Sequence, residues 1–377
     1  MKTTLRVLGI GLGMLVASSA LGERERAPLA PGDYARPLSH KRLARSYVLH
    51  LPPAAAQEAR LPLVIAFHGG GGNAEGFQAY AGLDSVADRE GFAVVYPNGT
   101  GRLAKHFLTF NAGGCCGWAM DNKVDDVGFA LKVIDSVARL ARIDRSRIYA
   151  TGHSNGAMMA YRLAAEAADQ IAAIAPVSGG MNLRREFAPS RAVPVLHIHS
   201  TTDPRALYAG GDNKSIGGLT VHHQPVIAGL QQWETRNGCG GPGTELERRT
   251  APAPSGQGEH TAVHIAAACP ARSPVELWKL SGPGHGWPGE SAGPLPERVM
   301  GPHTNVIHAA EEIWSFFARF PLNGTNARGA ATRAQSSSRT QCSSTATSFE
   351  TPFSSIVTPY SRSAIWIVRL LCVISRN

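Results

Sequence analysis

A serine set between two glycines at the apex of a strand, turn and helix is the feature of this chain best suited to chemistry. Thr151-Gly152-His153-Ser154-Asn155-Gly156 follows the apolar run Arg147 to Ala150 and precedes an Ala/Met-rich amphipathic run, Ala157 to Ala168. A turn this sharp admits only glycine-sized neighbours at 152 and 156, and it lifts Ser154 Oγ clear of the sheet. A backbone strained in this way usually serves a function. A serine hydroxyl is a weak nucleophile until a histidine takes its proton and a carboxylate orients that histidine.

Where such a turn crowns a parallel sheet, the partners follow in the order serine, acid, histidine, each just past a strand end. Asp203 lies four residues beyond the apolar run Val193 to His199. Asp212 is the nearest rival, while Asp125 and Asp126 precede the serine at a helix start, where capping accounts for them. His285 sits in Ser281-Gly282-Pro283-Gly284-His285-Gly286-Trp287-Pro288, directly after the run Val275 to Leu280. His303 and His308 compete with it but do not directly follow a strand. An acyl-transfer site also needs two preorganised N–H donors for the developing oxyanion. Asn155 supplies one. Gly70 supplies the other, with Gly71 as its neighbouring alternative, from the loop His68-Gly69-Gly70-Gly71-Gly72-Asn73. Glycines there let the backbone approach a substrate carbonyl, and the loop lacks the Lys-Ser/Thr ending of a phosphate cradle. His197 and His199 share one face of a strand and read as packed histidines.

The elements that must carry these groups alternate. Strand-like runs fall at 46–51, 61–67, 92–96, 171–177, 193–199 and 275–280, and helical stripes at 125–141, 226–236 and 306–317. That alternation predicts an α/β fold, a mostly parallel sheet with helices on both faces. Domain limits follow from composition. Residues 1–20 read as an export signal, with Lys2 and Arg6 flanking the apolar run Val7 to Ala17 and small residues at Ser18 to Ala20. A retained anchor is the alternative, but the run is short for a bilayer. Residues 21–44 are expected to be an extended lead-in, 45–320 the catalytic domain, and 321–377 a disordered tail rich in Ser, Thr and Arg. Ala364 to Ile374 is apolar but too short to cross a membrane.

The net charge of +9 is misleading, because it gathers at the ends. The first 20 residues carry two basic groups, and the last 57 carry six arginines against Glu350, leaving +2 for the rest. A nearly neutral domain without a basic stripe argues against nucleic-acid binding. Six cysteines in an exported chain predict disulfides. Cys239 and Cys269 bracket a polar Gly/Pro-rich excursion and are expected to pair. Cys115 and Cys116 either bridge each other or pair elsewhere. No zinc spacing is present, so no metal or other cofactor is expected.

Several segments together resemble the secreted polyhydroxybutyrate depolymerase and feruloyl esterase family. They are His68 to Asn73, Phe110-Asn111-Ala112 through Cys115-Cys116-Gly117, Val124 to Phe129, Gly152 to Arg162, and Gly284 to Gly289. The resemblance spans about residues 45 to 320. It implies an α/β-hydrolase fold and ester hydrolysis through an acyl-enzyme, with Ser154, Asp203 and His285 as the triad. Ser200, where the family more often has glycine, and Trp118 depart from the pattern and are expected to reshape the acyl pocket. Trp118 and Trp287 are candidate walls for an aromatic or hydroxyalkanoate acyl group, with ordinary packing as the alternative. The expected partner is an ester, possibly polymeric: a polyhydroxyalkanoate, or alternatively feruloylated or acetylated plant polysaccharide. Two further readings are acyl transfer to an alcohol and a non-catalytic polymer-binding protein on a hydrolase scaffold. The latter would normally have lost a triad member, and none is missing. A peptidase of the same fold would carry a preceding propeller-like domain.

Overall fold

Residues 61–67 are apolar at every position because both faces of their strand are covered. The computed structural model describes residues 27–322, apart from 58, 104–105, 215–217, 219, 257, 290–292 and 294. The expected export signal, the tail from residue 323 and the apolar run Ala364 to Ile374 lie outside the described residues. The strands are β1 (Gly32–His40), β2 (Leu43–Leu51), β3 (Leu61–Phe67), β4 (Ala93–Pro97), β5 (Ile143–His153) and β6 (Ala173–Val177). They continue with β7 (Val195–Ser200), β8 (Gly211–Lys214), β9 (Thr220–His223), β10 (Thr244–Pro252), β11 (Glu259–Ala266) and β12 (Val275–Ser281). The helices are α1 (Ala74–Ala81), α2 (Leu83–Glu90), α3 (Gly117–Asp121), α4 (Asp126–Leu140), α5 (Asn155–Glu166), α6 (Val226–Asn237), α7 (Glu297–Met300) and α8 (Ala309–Phe317).

Ten strands form one sheet in the order β1-β2-β4-β3-β5-β6-β7-β12-β11-β10, and β8 pairs with β9 apart from it. From β4 to β12 in that order every pairing is parallel, and an antiparallel pair extends each edge. Successive strand residues face opposite sides, so β3 feeds two cores. Leu61, Leu63, Ile65 and Phe67 join a cluster with α4, α5 and α6. Val64 and Ala66 join another with α1, α2 and α8. This is the expected α/β-hydrolase layering.

Two expectations change. Much of the expected lead-in at 21–44 belongs to the sheet, since β1 and the start of β2 pair from Gly32 against Leu51 to His40 against Leu43. Its alternate residues are only half-buried, so a polar, proline-containing edge strand resembled a linker. The excursion between Cys239 and Cys269 is the β10–β11 hairpin, with Arg248 opposite Val263. β10 is exposed along nearly all its length, which hides the alternation of a half-buried strand. Cys239 is bonded to Cys269 across its base, and Cys115 is bonded to Cys116.

The helix-start acids also separate. Asp125 caps α4 by accepting from the Gly128 N–H at 3.1 Å. Asp126 instead turns inward, where its side chain is fully buried against that of Arg45 at 2.7 Å. Arg45 also donates to the Asn98 carbonyl at 2.9 Å and lies 3.7 Å over the Phe129 ring, while Asp126 accepts from the Asn111 N–H at 2.8 Å. Removing one partner of a buried pair strands the other charge. Arg45→Met is therefore expected to destabilise the protein by about 3–5 kcal/mol in urea unfolding. A loss below about 1 kcal/mol, the range of an exposed pair, would contradict that role.

Candidate active site

Strand β5 ends at His153 and helix α5 begins at Asn155, leaving Ser154 alone to make the turn at φ 57°, ψ −117°. The glycines on either side are required by close approach. A Cβ on Gly152 would stand 2.6 Å from the Gly156 backbone and 2.7 Å from the Phe67 carbonyl, and one on Gly156 would collide with that same carbonyl. The Ser154 N–H donates to Val177 O at 2.9 Å, which ties the turn to β6.

Loops leaving β7 and β12 bring the other two groups to it. Ser154 Oγ donates to His285 Nε2 at 2.9 Å, and His285 Nδ1 donates to Asp203 Oδ2 at 2.7 Å. Asp203 Oδ1 accepts from the Arg205 and Ala206 N–H groups at 2.7 and 2.8 Å. Burial alone would raise the Asp203 carboxyl, but the His285 and His199 side chains beside it hold it well below the usual carboxylate range. It is an anion throughout the neutral and mildly acidic range.

The histidine loop is fixed from several sides. His285 N–H donates to the Met300 carbonyl at 2.5 Å, and a Cβ on Gly284 would collide with that backbone. Ser178 Oγ donates to the Gly286 carbonyl at 2.8 Å. Ser200 lies between the acid loop and the histidine loop. It is buried, and its Oγ and that of Thr202 both donate to the Pro283 carbonyl, at 2.5 and 2.8 Å. It is a strut joining the acid loop to the histidine loop.

The glycine loop lies on the turn. A Cβ on Gly69 would stand 3.4 Å from Ser154 Cβ, and one on Gly70 would stand 3.6 Å from Asn155 Cβ. The Gly71 N–H is taken by the Leu108 carbonyl at 2.8 Å, which leaves Gly70 rather than Gly71 as the donor paired with Asn155. Asn155 is the first residue of α5, so its N–H has no partner within the helix and shares the positive end of the helix dipole. Its side chain clamps Phe110, accepting from the N–H at 2.8 Å and donating to the carbonyl at 3.0 Å. His68 Nε2 accepts from Gly99 N–H at 3.0 Å, so Nδ1 carries the proton and donates to Gly69 O at 2.7 Å. Burial pushes the His68 imidazole down to about 4, keeping this neutral arrangement.

The two tryptophans part company. Trp287 is 3 % exposed, packs edge-on against Phe77 and donates its indole N–H to the Ala81 carbonyl at 2.9 Å. It is a core residue, not a wall. Trp118 is half-buried on α3, whose Gly117 and Ala119 contact Thr109 beside the glycine loop. Three histidines gain weight instead. The His153 ring centroid lies 4.9 Å from that of His285, and burial followed by the field of His285 pushes its imidazole well down. His199 Nε2 lies 3.2 Å from Asp203 Oδ2, and His197 contacts His199. Their i, i+2 spacing on the strand that delivers the acid was the available signal. Among the described residues one group has metal-like spacing, Asp33, His50 and Asp84, within 4.8 Å of one another. Gln78 and Tyr96 already donate to its carboxylates.

This geometry suits abstraction of the Ser154 proton by His285, with two N–H donors beside the hydroxyl to receive an oxyanion. A parallel sheet, a serine at a strand-to-helix elbow, and an acid and a histidine at later strand ends define an α/β-hydrolase. A family model described as Esterase PHB depolymerase matches residues 45–226. The chain is also 30% identical over 351 residues to the protein named "Putative esterase NocK" of Nocardia uniformis subsp. tsuyamanensis, spanning 82% of this chain and 96% of that protein. The chain belongs to the esterase PHB depolymerase family and is a hydrolase of carboxylic esters. Feruloyl esterase B of Piromyces equi is 28% identical over 204 residues, 52% of this chain and 36% of its own length. The bifunctional acetylxylan esterase/xylanase XynS20E of Neocallimastix patriciarum is 32% identical over 142 residues, 38% of this chain and 19% of its own.

Proposed function

We propose that the chain is an exported serine esterase acting on a polyhydroxyalkanoate-type polyester. The observation carrying the chemistry is the continuous Ser154–His285–Asp203 hydrogen-bond chain at the elbow. Ser154 Oγ attacks the ester carbonyl as its proton passes to His285 Nε2, and the Asn155 and Gly70 N–H groups hold the oxyanion. The C–O bond to the alcohol breaks, and the alcohol leaves with the proton from His285. Water, deprotonated by the same imidazole, attacks the acyl-enzyme, and Ser154 departs with that proton.

The polymer reading is supported by the family description and by the loop preceding Leu108. Leu103 and Phe107 are 56 % and 73 % exposed there, while Leu108 and Thr109 touch the glycine loop. An apolar tip beside an ester site suits a water-insoluble polyester. The second reading, a plant cell-wall feruloyl or acetylxylan esterase, is favoured by the Piromyces and Neocallimastix relatives and by half-buried Trp118. Export is supported by the N-terminal charge and apolar pattern and by the two cysteine bridges. No helix among the described residues is long and apolar enough to cross a membrane.

One substrate panel separates these readings. The full chain and Ser154→Ala are each given p-nitrophenyl acetate, a polyhydroxybutyrate suspension, methyl ferulate and acetylated xylan. Clearing of the polymer by the unaltered chain alone is expected, with the activity in the periplasm or medium of the producing cell. Release of ferulate or acetate without polymer clearing selects the plant-wall reading. Activity confined to the cytosol rejects export.

A further inference from the structure

The acid loop is backed by a line of buried polar groups that an apolar core would not need. Tyr161 on α5 and His197 and His199 on β7, the strand that ends just before Asp203, are all buried. Tyr161 Oη lies 3.0 Å from His197 Nδ1, and His197 Nε2 lies 3.0 Å from His199 Nδ1. His199 Nε2 lies 2.8 Å from the Ala206 carbonyl and 3.2 Å from Asp203 Oδ2.

The polarity of this line follows from which atoms can only accept. A carbonyl and a carboxylate both accept, so His199 Nε2 carries a proton. Among the described residues the buried Tyr161 hydroxyl has His197 Nδ1 as its hydrogen-bond partner, so Tyr161 donates and His197 Nδ1 is bare. The His197 proton is then on Nε2, pointing at His199 Nδ1, which must be bare in turn. Reversing the direction would leave the tyrosine hydrogen facing no acceptor, which is costly in a core. One arrangement satisfies every group, with both imidazoles neutral and each tautomer fixed.

We infer that Tyr161, His197 and His199 are a positioning relay whose terminal neutral N–H, shared between the Ala206 carbonyl and Asp203 Oδ2, ties the two together and so reserves that oxygen's remaining direction for His285. The inference rests on the triad proposed above. With Oδ1 held by the Arg205 and Ala206 N–H groups, the relay completes the orientation of the carboxylate from below the site. Because His199 is neutral, it leaves the charge of Asp203 to stabilise the imidazolium that forms on His285. A cationic His199 would compete for that charge. These residues touch no substrate; they act through Asp203.

The test compares kcat and KM for p-nitrophenyl acetate, with thermal midpoints by circular dichroism, in the full chain and three variants. Hydrolysis by the unaltered chain checks the esterase reading itself, and loss of activity in Ser154→Ala checks the nucleophile. His199→Leu removes the donor and is expected to lower kcat about 10- to 100-fold, with KM within about twofold. His199→Gln keeps a neutral N–H at similar reach and is expected to return kcat to within about fivefold of the unaltered chain. Tyr161→Phe keeps the ring and is expected to lower kcat about two- to fivefold at an unchanged midpoint. Equal kcat in the Leu and Gln variants, or unaltered kcat in His199→Leu, overturns the relay. Should His199→Leu not fold, Tyr161→Phe decides: reduced kcat at constant midpoint supports the relay, and unaltered kcat overturns it.

Discussion

Ser154→Ala is expected to lower kcat on p-nitrophenyl acetate by about 10⁴- to 10⁶-fold while leaving the fold and KM nearly intact. The substitution deletes one oxygen, the hydroxyl that donates to His285 Nε2. Alanine can occupy the same turn, although at φ 57° any side chain is strained there. What survives is the oxyanion cradle of Gly70 and Asn155, which alone retains modest catalysis over water. The direct check is single-turnover kinetics with labelling by a fluorophosphonate, expected for the unaltered chain and absent from the variant. Retained labelling of Ser154→Ala would place the nucleophile elsewhere.

Asp203→Asn should follow at about 10⁴-fold in kcat, for a reason visible in its partners. Three N–H groups donate to the carboxylate, from Arg205, Ala206 and His285, and the His199 N–H that bonds the Ala206 carbonyl lies 3.2 Å from it. A carboxamide has one oxygen to offer them. If that oxygen keeps the two backbone donors, its NH₂ group faces His285 Nδ1. The imidazole then holds its proton on Nε2 and cannot accept one from Ser154. The carboxyl of Asp203 lies well below its ordinary range, so lowering the pH through the mildly acidic region does not mimic this variant. Kinetics across that region, with structure monitored by circular dichroism, check both statements. A variant retaining more than about a tenth of the unaltered kcat would remove Asp203 from the proposed role.

The legible parts of the sequence were those where one physical cause dominates. β3 and β6 are covered on both faces and therefore read as unbroken apolar runs. The glycines of the elbow and the order Ser154, Asp203, His285 were legible because a sharp turn and strand-end loops constrain residue type locally. The edge strands were not, since β1 and β10 bury too little to leave a clear alternation. The nature of Trp287 was also hidden. Its neighbour Phe77 and its acceptor Ala81 lie some two hundred residues earlier, and no local pattern announces such a contact. The same holds for Asp126, whose partner Arg45 is 81 positions away. In the sequence His197 and His199 read as packing, because nothing local announces that Asp203 Oδ2 lies 3.2 Å from His199 Nε2.

The outermost strands bear on how such a protein behaves when many copies accumulate. An open sheet ends in rows of unpaired backbone groups, a template on which a second molecule can extend the ladder. At one end, β1 interrupts its row of donors with Pro37 and carries Asp33 and Arg36. At the other, β10 carries Glu245, Glu247, Arg248 and Arg249 around Leu246. Charge and proline on opposite margins make edge-to-edge growth unfavourable, so colloidal solubility and ester chemistry are assigned to different parts of the molecule. Loops around the serine can then change without making the chain self-adhesive.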